Sequence, residues 1–277
     1  MRVVFLSDTH LGFDLPIRPR VQRHRRGEDF FANLDRVLDF ATTTRADLVL
    51  HGGDLFFRSR VPPFIVDRVY QRLTRFADGG IPLGLIAGNH ERSVLPPSLL
   101  LRHPNIHVFH QASTRVFTLA GGAVAVTGVP FTGDRARLLA AARAAPAVDV
   151  DGHLLLAHEA FEGATVGPAN FTFRNRVDTV PLEAVPERFD AVVSGHIHRR
   201  QVLWRTRADG TRQPIVFCGS IERTSYAEQG ETKGFAVIEL GARRRVRFHD
   251  LPAPPLPLPP PPRYSAVRSN SSTSTPK

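Results

Sequence analysis

Five short stretches hold the residues that could do chemistry: Asp8-Thr9-His10, Gly52-Gly53-Asp54, Gly88-Asn89-His90-Glu91, His158-Glu159 and Gly195-His196-Ile197-His198. Each follows an apolar run, and each supplies a carboxylate, an imidazole or an amide oxygen. Seven or eight such donors are too many for one ion. Mixed imidazole and carboxylate donors suit Mn, Fe or Zn rather than Ca. Cys218 is the single cysteine, so a thiolate-type structural zinc site is excluded.

The runs that deliver these residues are short and continuous, as in buried strands: residues 3–6, 48–50, 83–87, 154–157 and 191–193. Gly52 and Gly53 turn the chain sharply after the second of them. Helical spacing recurs between them, through Phe30, Phe31, Leu34, Val37, Leu38 and Ala41, then through Ile65, Val66, Val69, Leu73 and Phe76 behind Pro62-Pro63. Strand and helix alternate as in βαβ units with a parallel sheet, whose carboxyl ends form the usual ligand-binding edge. Further strands are expected at residues 106–109, 116–119, 123–127, 202–205, 215–218, 235–240 and 245–248. A helix is expected over 138–145 and a long loop over 160–176. Eight of the eleven residues 252–262 are proline and Ser/Thr-rich sequence follows. We therefore expect a catalytic domain over 1–250 and a polyproline-II or disordered tail over 251–277.

The net charge is +10, carried by 34 Arg and only two Lys. High-GC codon usage accounts for the ratio but not for the surplus, which favours a polyanionic partner. The basic loop 18–26, with Arg23, Arg25 and Arg26, is a candidate clamp on a phosphate backbone, and Arg174 and Arg176 are further candidates for substrate contact. No run of about 18 apolar residues is present, so no membrane span is expected. The chain enters a strand at once with no signal-peptide pattern, and the lone cysteine fits a reducing cytosol. A cytoplasmic protein is expected.

Taken together, DTH, GGD, GNHE, the strand-end His158 and GHIH resemble the calcineurin-like metallophosphoesterases in order and spacing over residues 8–198. The resemblance implies an α/β fold, a four-layer α/β/β/α sandwich, and a pair of divalent ions, Mn with Fe or Zn as alternatives. It implies that Asp8, His10 and His198 hold one ion, Asn89, His158 and His196 the other, and Asp54 both. Water activated between two such ions attacks phosphorus in line, and His90 is the implied general acid for the leaving oxygen. Glu91 and Glu159 either orient neighbouring imidazoles or lie at the surface, and His51 stands behind the metal ligands.

GDLFFRSRVPP, HEAFEG, GHIHRRQ and CGSIERTSYAE are similar to the DNA-repair exonuclease branch, the SbcD-type nuclease subunits. That implies a DNA exonuclease-like nuclease. The alternatives are a small-nucleotide phosphodiesterase and a non-catalytic scaffold of the same fold. Phe57 departs from the branch, where a His often positions the DNA backbone. An SMC-like ATPase is the partner the branch implies, although the usual capping domain and ATPase-binding segment are expected to be missing after residue 250.

Overall fold

Alternation inside fully buried strands sets the architecture. Val3 and Phe5 point into one apolar core while Val4 and Leu6 point into another, and Leu48 and Leu50 oppose Val49 in the same way. A strand that buries both faces needs a layer on each side. The computed structural model, which describes residues 1–15, 25–174, 176–241 and 244–255, supplies those layers.

The elements run β1 Arg2–Leu6, α1 Gly27–Thr43, β2 Leu48–His51, α2 Pro63–Asp78, β3 Leu83–Ile86, β4 Ile106–Phe109, β5 Ser113–Leu119 and β6 Gly122–Gly128. Then come α3 Arg135–Ala144, β7 Gly152–Ala157, β8 Ala160–Phe161, β9 Thr165–Val166, β10 Phe171–Thr172, β11 Thr179–Val180 and β12 Ala191–Ser194. The last strands are β13 Gln201–Thr206, β14 Arg212–Phe217, β15 Gly234–Glu239 and β16 Arg245–Asp250. Two six-stranded mixed sheets form, in the orders β16-β15-β1-β2-β3-β4 and β13-β14-β12-β7-β6-β5. β1 to β4 are mutually parallel, as are β6, β7, β12 and β14. The antiparallel pairs lie towards the sheet edges.

One core lies between the first sheet and helices α1 and α2, with Phe30, Phe31, Leu34, Val69 and Leu73 facing Val4, Leu6 and Val49. A second lies between the sheets, where Phe5 and Leu50 meet Val126, Leu154, Leu156 and Val193. The third covers the far face of the second sheet, where α3 brings Leu138 and Ala142 against Leu155 and Phe217. This is the expected four-layer α/β/β/α order. Each such Val, Leu or Phe side chain, fully buried, contributes about 1.5–3 kcal/mol. No helix among the described residues is long and apolar enough to cross a membrane.

Three local differences from expectation have physical reasons. Helix α3 starts at Arg135 because the Asp134 side chain accepts from the Ala136 amide at 2.8 Å, a cap that apolar spacing does not reveal. The stretch 160–176 is not a plain loop. It carries β8, β9 and β10, each two residues long and too short to show a period; β9 pairs with β10, and β8 with β11. Packing also continues past residue 250. Leu251 is buried, the Asn33 amide donates to the Pro252 carbonyl at 2.9 Å, and Arg223 donates to the Ala253 carbonyl. Residues 256–277, the bulk of the expected tail, lie outside the described residues.

Candidate metal centre

The carboxyl ends of β1, β2 and β3 in one sheet meet those of β7 and β12 in the other. Asp8 and His10 follow β1, Asp54 follows β2, and Asn89 and His90 follow β3. His158 follows β7, and His196 and His198 follow β12. Three overlapping groups could each hold a cation, with ligand atoms within 4.8 Å of one another: Asp8, His10 and His198; His10, Asp54 and His90; Asp8, Asp54 and His158.

The backbone is bent to achieve this. Asp8, His10, Asp54 and His196 have φ of 51°, 42°, 53° and 80°. For non-glycine residues such conformations cost on the order of 1–3 kcal/mol each, and they cluster where function fixes them. Glycine is required where the chains pass closest. A Cβ on Gly53, itself at φ +92°, would lie 2.5 Å from His158 Nδ1 and 2.9 Å from the Gly88 amide nitrogen. A Cβ on Gly88 would overlap the Asp54 carboxylate.

Hydrogen bonds fix the imidazoles one by one. His158 Nδ1 donates to the Gly52 carbonyl at 2.6 Å, which turns Nε2 to Asp54 Oδ2 at 3.4 Å and Asn89 Oδ1 at 3.0 Å. His90 Nδ1 donates to the Phe57 carbonyl at 2.6 Å, leaving Nε2 3.8 Å from Asp54 Oδ2. His198 Nδ1 donates to Glu228 Oε1 at 3.1 Å, and its Nε2 lies 3.8 Å from Asp8 Oδ1. His196 Nδ1 lies 3.0 Å from the same Asn89 oxygen that His158 approaches. The carboxylates are held as well: Asp8 accepts from Ser7 Oγ at 2.5 Å and from the His196 amide at 3.1 Å, and Asp54 accepts from the His90 amide at 2.9 Å.

His10 Nε2 and His198 Nε2 stand 2.9 Å apart. Two imidazole nitrogens so close repel unless one carries a proton or a cation takes both lone pairs. With buried carboxylates beside them, this donor set fits a divalent ion of the Mn, Fe or Zn type.

The protein's own charges tune the cluster strongly. Burial opposes ionisation of Asp54, but the neighbouring His158, by charge and hydrogen bond, holds its carboxyl well below the usual range. Burial would likewise depress His158, yet Asp54 and Asp8 together push it up to about 9. Burial, with the charge of His158, pushes His196 down to about 3. Burial and then His198 hold His10 far below its usual value. His10 and His196 are therefore neutral lone-pair donors at pH 7, whereas His158 carries a proton that an arriving cation must displace. Metal affinity should rise with pH up to about 9, by one logarithmic unit per pH unit for each proton displaced. Calorimetric Mn titrations at pH 7 in buffers of different ionisation heat should show at least one proton released per chain, and no release would contradict this.

Other sequence candidates fall in different places. Glu91 and Glu159 are buried and hold backbone rather than imidazoles. Glu91 accepts from the Phe56 and Gly88 amides, and Glu159 from Thr132 and Gly133. His51 accepts from the Gly53 amide and lies 3.1 Å from Thr9 Oγ1, bracing the glycine turn. Arg26 does not face solvent: it is 4% exposed and pairs with buried Glu222 at 2.7 Å. That pairing corrects its expected place in a surface clamp. Arg25 pairs with Asp14 at 2.8 Å and Arg176 with Asp178 at 3.1 Å, while Arg174 is exposed. Arg23 lies outside the described residues.

Two neighbours of the site are not among the sequence candidates. Arg58 is exposed and lies 5.3 Å from the centre of the Phe57 ring. That ring in turn stands 5.9 Å from His90 and 6.2 Å from His10. Phe131 is stacked 6.0 Å from His196. Arg58 directly follows the GDLFF run, whereas nothing in the sequence marked Phe131.

Comparison with known proteins agrees with this geometry. The calcineurin-like phosphoesterase family matches residues 1–200. The DNA double-strand break repair protein Mre11 of Haloferax volcanii is 31% identical over 244 residues, 86% of this chain and 49% of that protein. Mre11 of Saccharolobus solfataricus is 24% identical, over 84% of this chain and 58% of that protein. The SbcD component of the nuclease SbcCD from Escherichia coli K12 is 24% identical, over 84% of this chain and 63% of that protein. The chain thus spans about half to three-fifths of these relatives. Among solved structures, a dimetal phosphatase from Danio rerio shares the fold, with a TM-score of 0.52 and 13% identity over 90% of this chain and 96% of that one.

Proposed function

The chain belongs to the calcineurin-like phosphoesterase family, and on that footing we propose that it is a dinuclear-metal phosphodiesterase acting on DNA as a nuclease. The observation that carries the proposal is the convergence of Asp8, His10, Asp54, His90, His158 and His198 in groups within 4.8 Å. In this reading Asp8, His10 and His198 would hold one Mn ion, Asn89, His158 and His196 would hold a second, and Asp54 would be available to both. When bound, such ions supply charge stabilisation and lower the pKa of water from 15.7 to about 7.

The chain's own groups do the rest. The Gly52 and Phe57 carbonyls hold the Nδ1 protons of His158 and His90, so that both rings present Nε2 inwards. The His90 side chain is 34% exposed and stands at the rim, where Nε2 can pass a proton to the departing oxygen. Two negative charges, on Asp8 and Asp54, are fewer than the charge of two divalent ions, so the loaded centre attracts a phosphodiester.

DNA as substrate is supported by the surplus of ten positive charges and by the kinship with Mre11 and SbcD. With Arg25 paired to Asp14 and Arg26 buried against Glu222, Arg58 and Arg174 are the better candidates for backbone contact. A stand-alone catalytic domain, or one that an SMC-like ATPase partner binds through a surface of the domain itself, and a cytosolic setting complete the proposal.

The purified protein with Mn should degrade single-stranded or duplex DNA and hydrolyse bis-p-nitrophenyl phosphate. The assay should include RNA and cyclic nucleotides. Cleavage of the small ester alone would overturn the DNA assignment in favour of a small-nucleotide phosphodiesterase.

A further inference from the structure

The segment between β14 and β15 buries charge that the chemistry above does not use. Lys233 is 1% exposed, and its ammonium donates to Glu228, itself 7% exposed. Lys233 Nζ also donates to the His198 carbonyl at 3.2 Å and to Glu231 Oε2 at 3.3 Å. Glu228 Oε1 accepts from Thr224 Oγ1 at 2.7 Å, from Ser225 Oγ at 3.2 Å and from His198 Nδ1 at 3.1 Å. Taking such a pair out of water is costly, and replacing it with apolar side chains is often neutral or stabilising. Stability alone is thus a weak reason for the pair. Its position offers another, because the far nitrogen of the ring it grips faces His10 and Asp8.

Among the described residues, no other imidazole of the cluster rests on a carboxylate outside it; His196 Nδ1 lies against the Asn89 amide oxygen. His158 and His90 rest on backbone carbonyls, and buried His10 Nδ1 has no partner among the described residues. A carboxylate that accepts an imidazole N–H fixes the tautomer and makes the opposite nitrogen a stronger donor, which typically changes metal affinity 10–100-fold. Glu228 and Lys233 also lie beyond residues 1–200, the part matched by the family.

We propose that Glu228 is a positioning residue that fixes His198 as an Nδ1–H imidazole and thereby sets the affinity of one cation position, that of Asp8, His10 and His198, without setting the other. Lys233 balances the buried charge of Glu228. The proposal rests on the dinuclear reading above.

Mn binding isotherms and melting curves of the wild type, Glu228→Gln, Lys233→Met and the double variant test it. The wild type should bind two ions. Glu228→Gln should weaken one by about 10–100-fold and leave the other unchanged. Lys233→Met should lower Tm by leaving a carboxylate buried without its counter-charge, and any change in affinity should be confined to the same cation position. The double variant should regain Tm but not the lost affinity, a split that a merely structural role could not produce. Wild-type protein binding two ions with Glu228→Gln unchanged, or with both positions weakened equally, overturns this proposal alone. Wild-type protein binding fewer than two ions overturns the dinuclear reading and this proposal with it.

Discussion

Replacing Asp54 with asparagine is expected to lower kcat on bis-p-nitrophenyl phosphate by about three to four orders of magnitude, the equivalent of several kcal/mol of transition-state stabilisation. No single histidine variant should fall as far. Asp54 is the residue common to two of the three candidate cation groups that also meets His158, His90 and His10, at 3.4, 3.8 and 3.9 Å. Asparagine is a clean replacement because it tolerates the positive φ of 53° found there. It also keeps an oxygen for the His90 amide. The loss would therefore report the missing charge and not a collapsed turn. Rates measured at saturating Mn for Asp54→Asn and for Ala variants of His10, His158, His196 and His198 give the ranking. A histidine variant that falls further than Asp54→Asn would contradict it.

The second large effect is expected at His90. His90→Gln should lower turnover of an alkyl phosphodiester, such as a dinucleotide, by about 10²–10⁴-fold, the usual contribution of a positioned acid. It should do far less to bis-p-nitrophenyl phosphate, because p-nitrophenolate leaves without a proton. Bound Mn should stay the same, since the contact that orients Asp54 comes from the His90 backbone amide at 2.9 Å and survives the substitution. Equal losses on both substrates, or loss of metal, would show that the ring serves the metal centre and not the leaving oxygen.

The centre is legible in the sequence because each of its residues sits where an apolar run stops, and in a two-layered sheet those stops share one end of the molecule. The glycines at 52, 53, 88 and 195 were legible for the same reason. The supporting groups were not. Asn33 and Arg26 find partners 188 or more residues away, at Ile221, Pro252 and Glu222, and no local pattern encodes such pairs. From the sequence the charge of Arg26 looked like part of a surface clamp, whereas burial turns it into an internal strut. The Phe57 carbonyl holds His90 through the backbone, so the identity of residue 57 could not announce that role. The aromatic side chain that departs from the nuclease branch sits beside Arg58, a cation outside the basic loop 18–26. Glu228 and Lys233 lie in a stretch without helical or strand period, and only the fold brings them behind His198.

The central claim is that one carboxylate, Asp54, joins two cations. Electron paramagnetic resonance of the protein titrated with Mn tests it most directly. The expected result is two Mn per chain with an exchange-coupled pair signal, and loss of that coupling in Asp54→Asn. A wild-type spectrum of at most one Mn per chain, or of two that are magnetically independent, would contradict it.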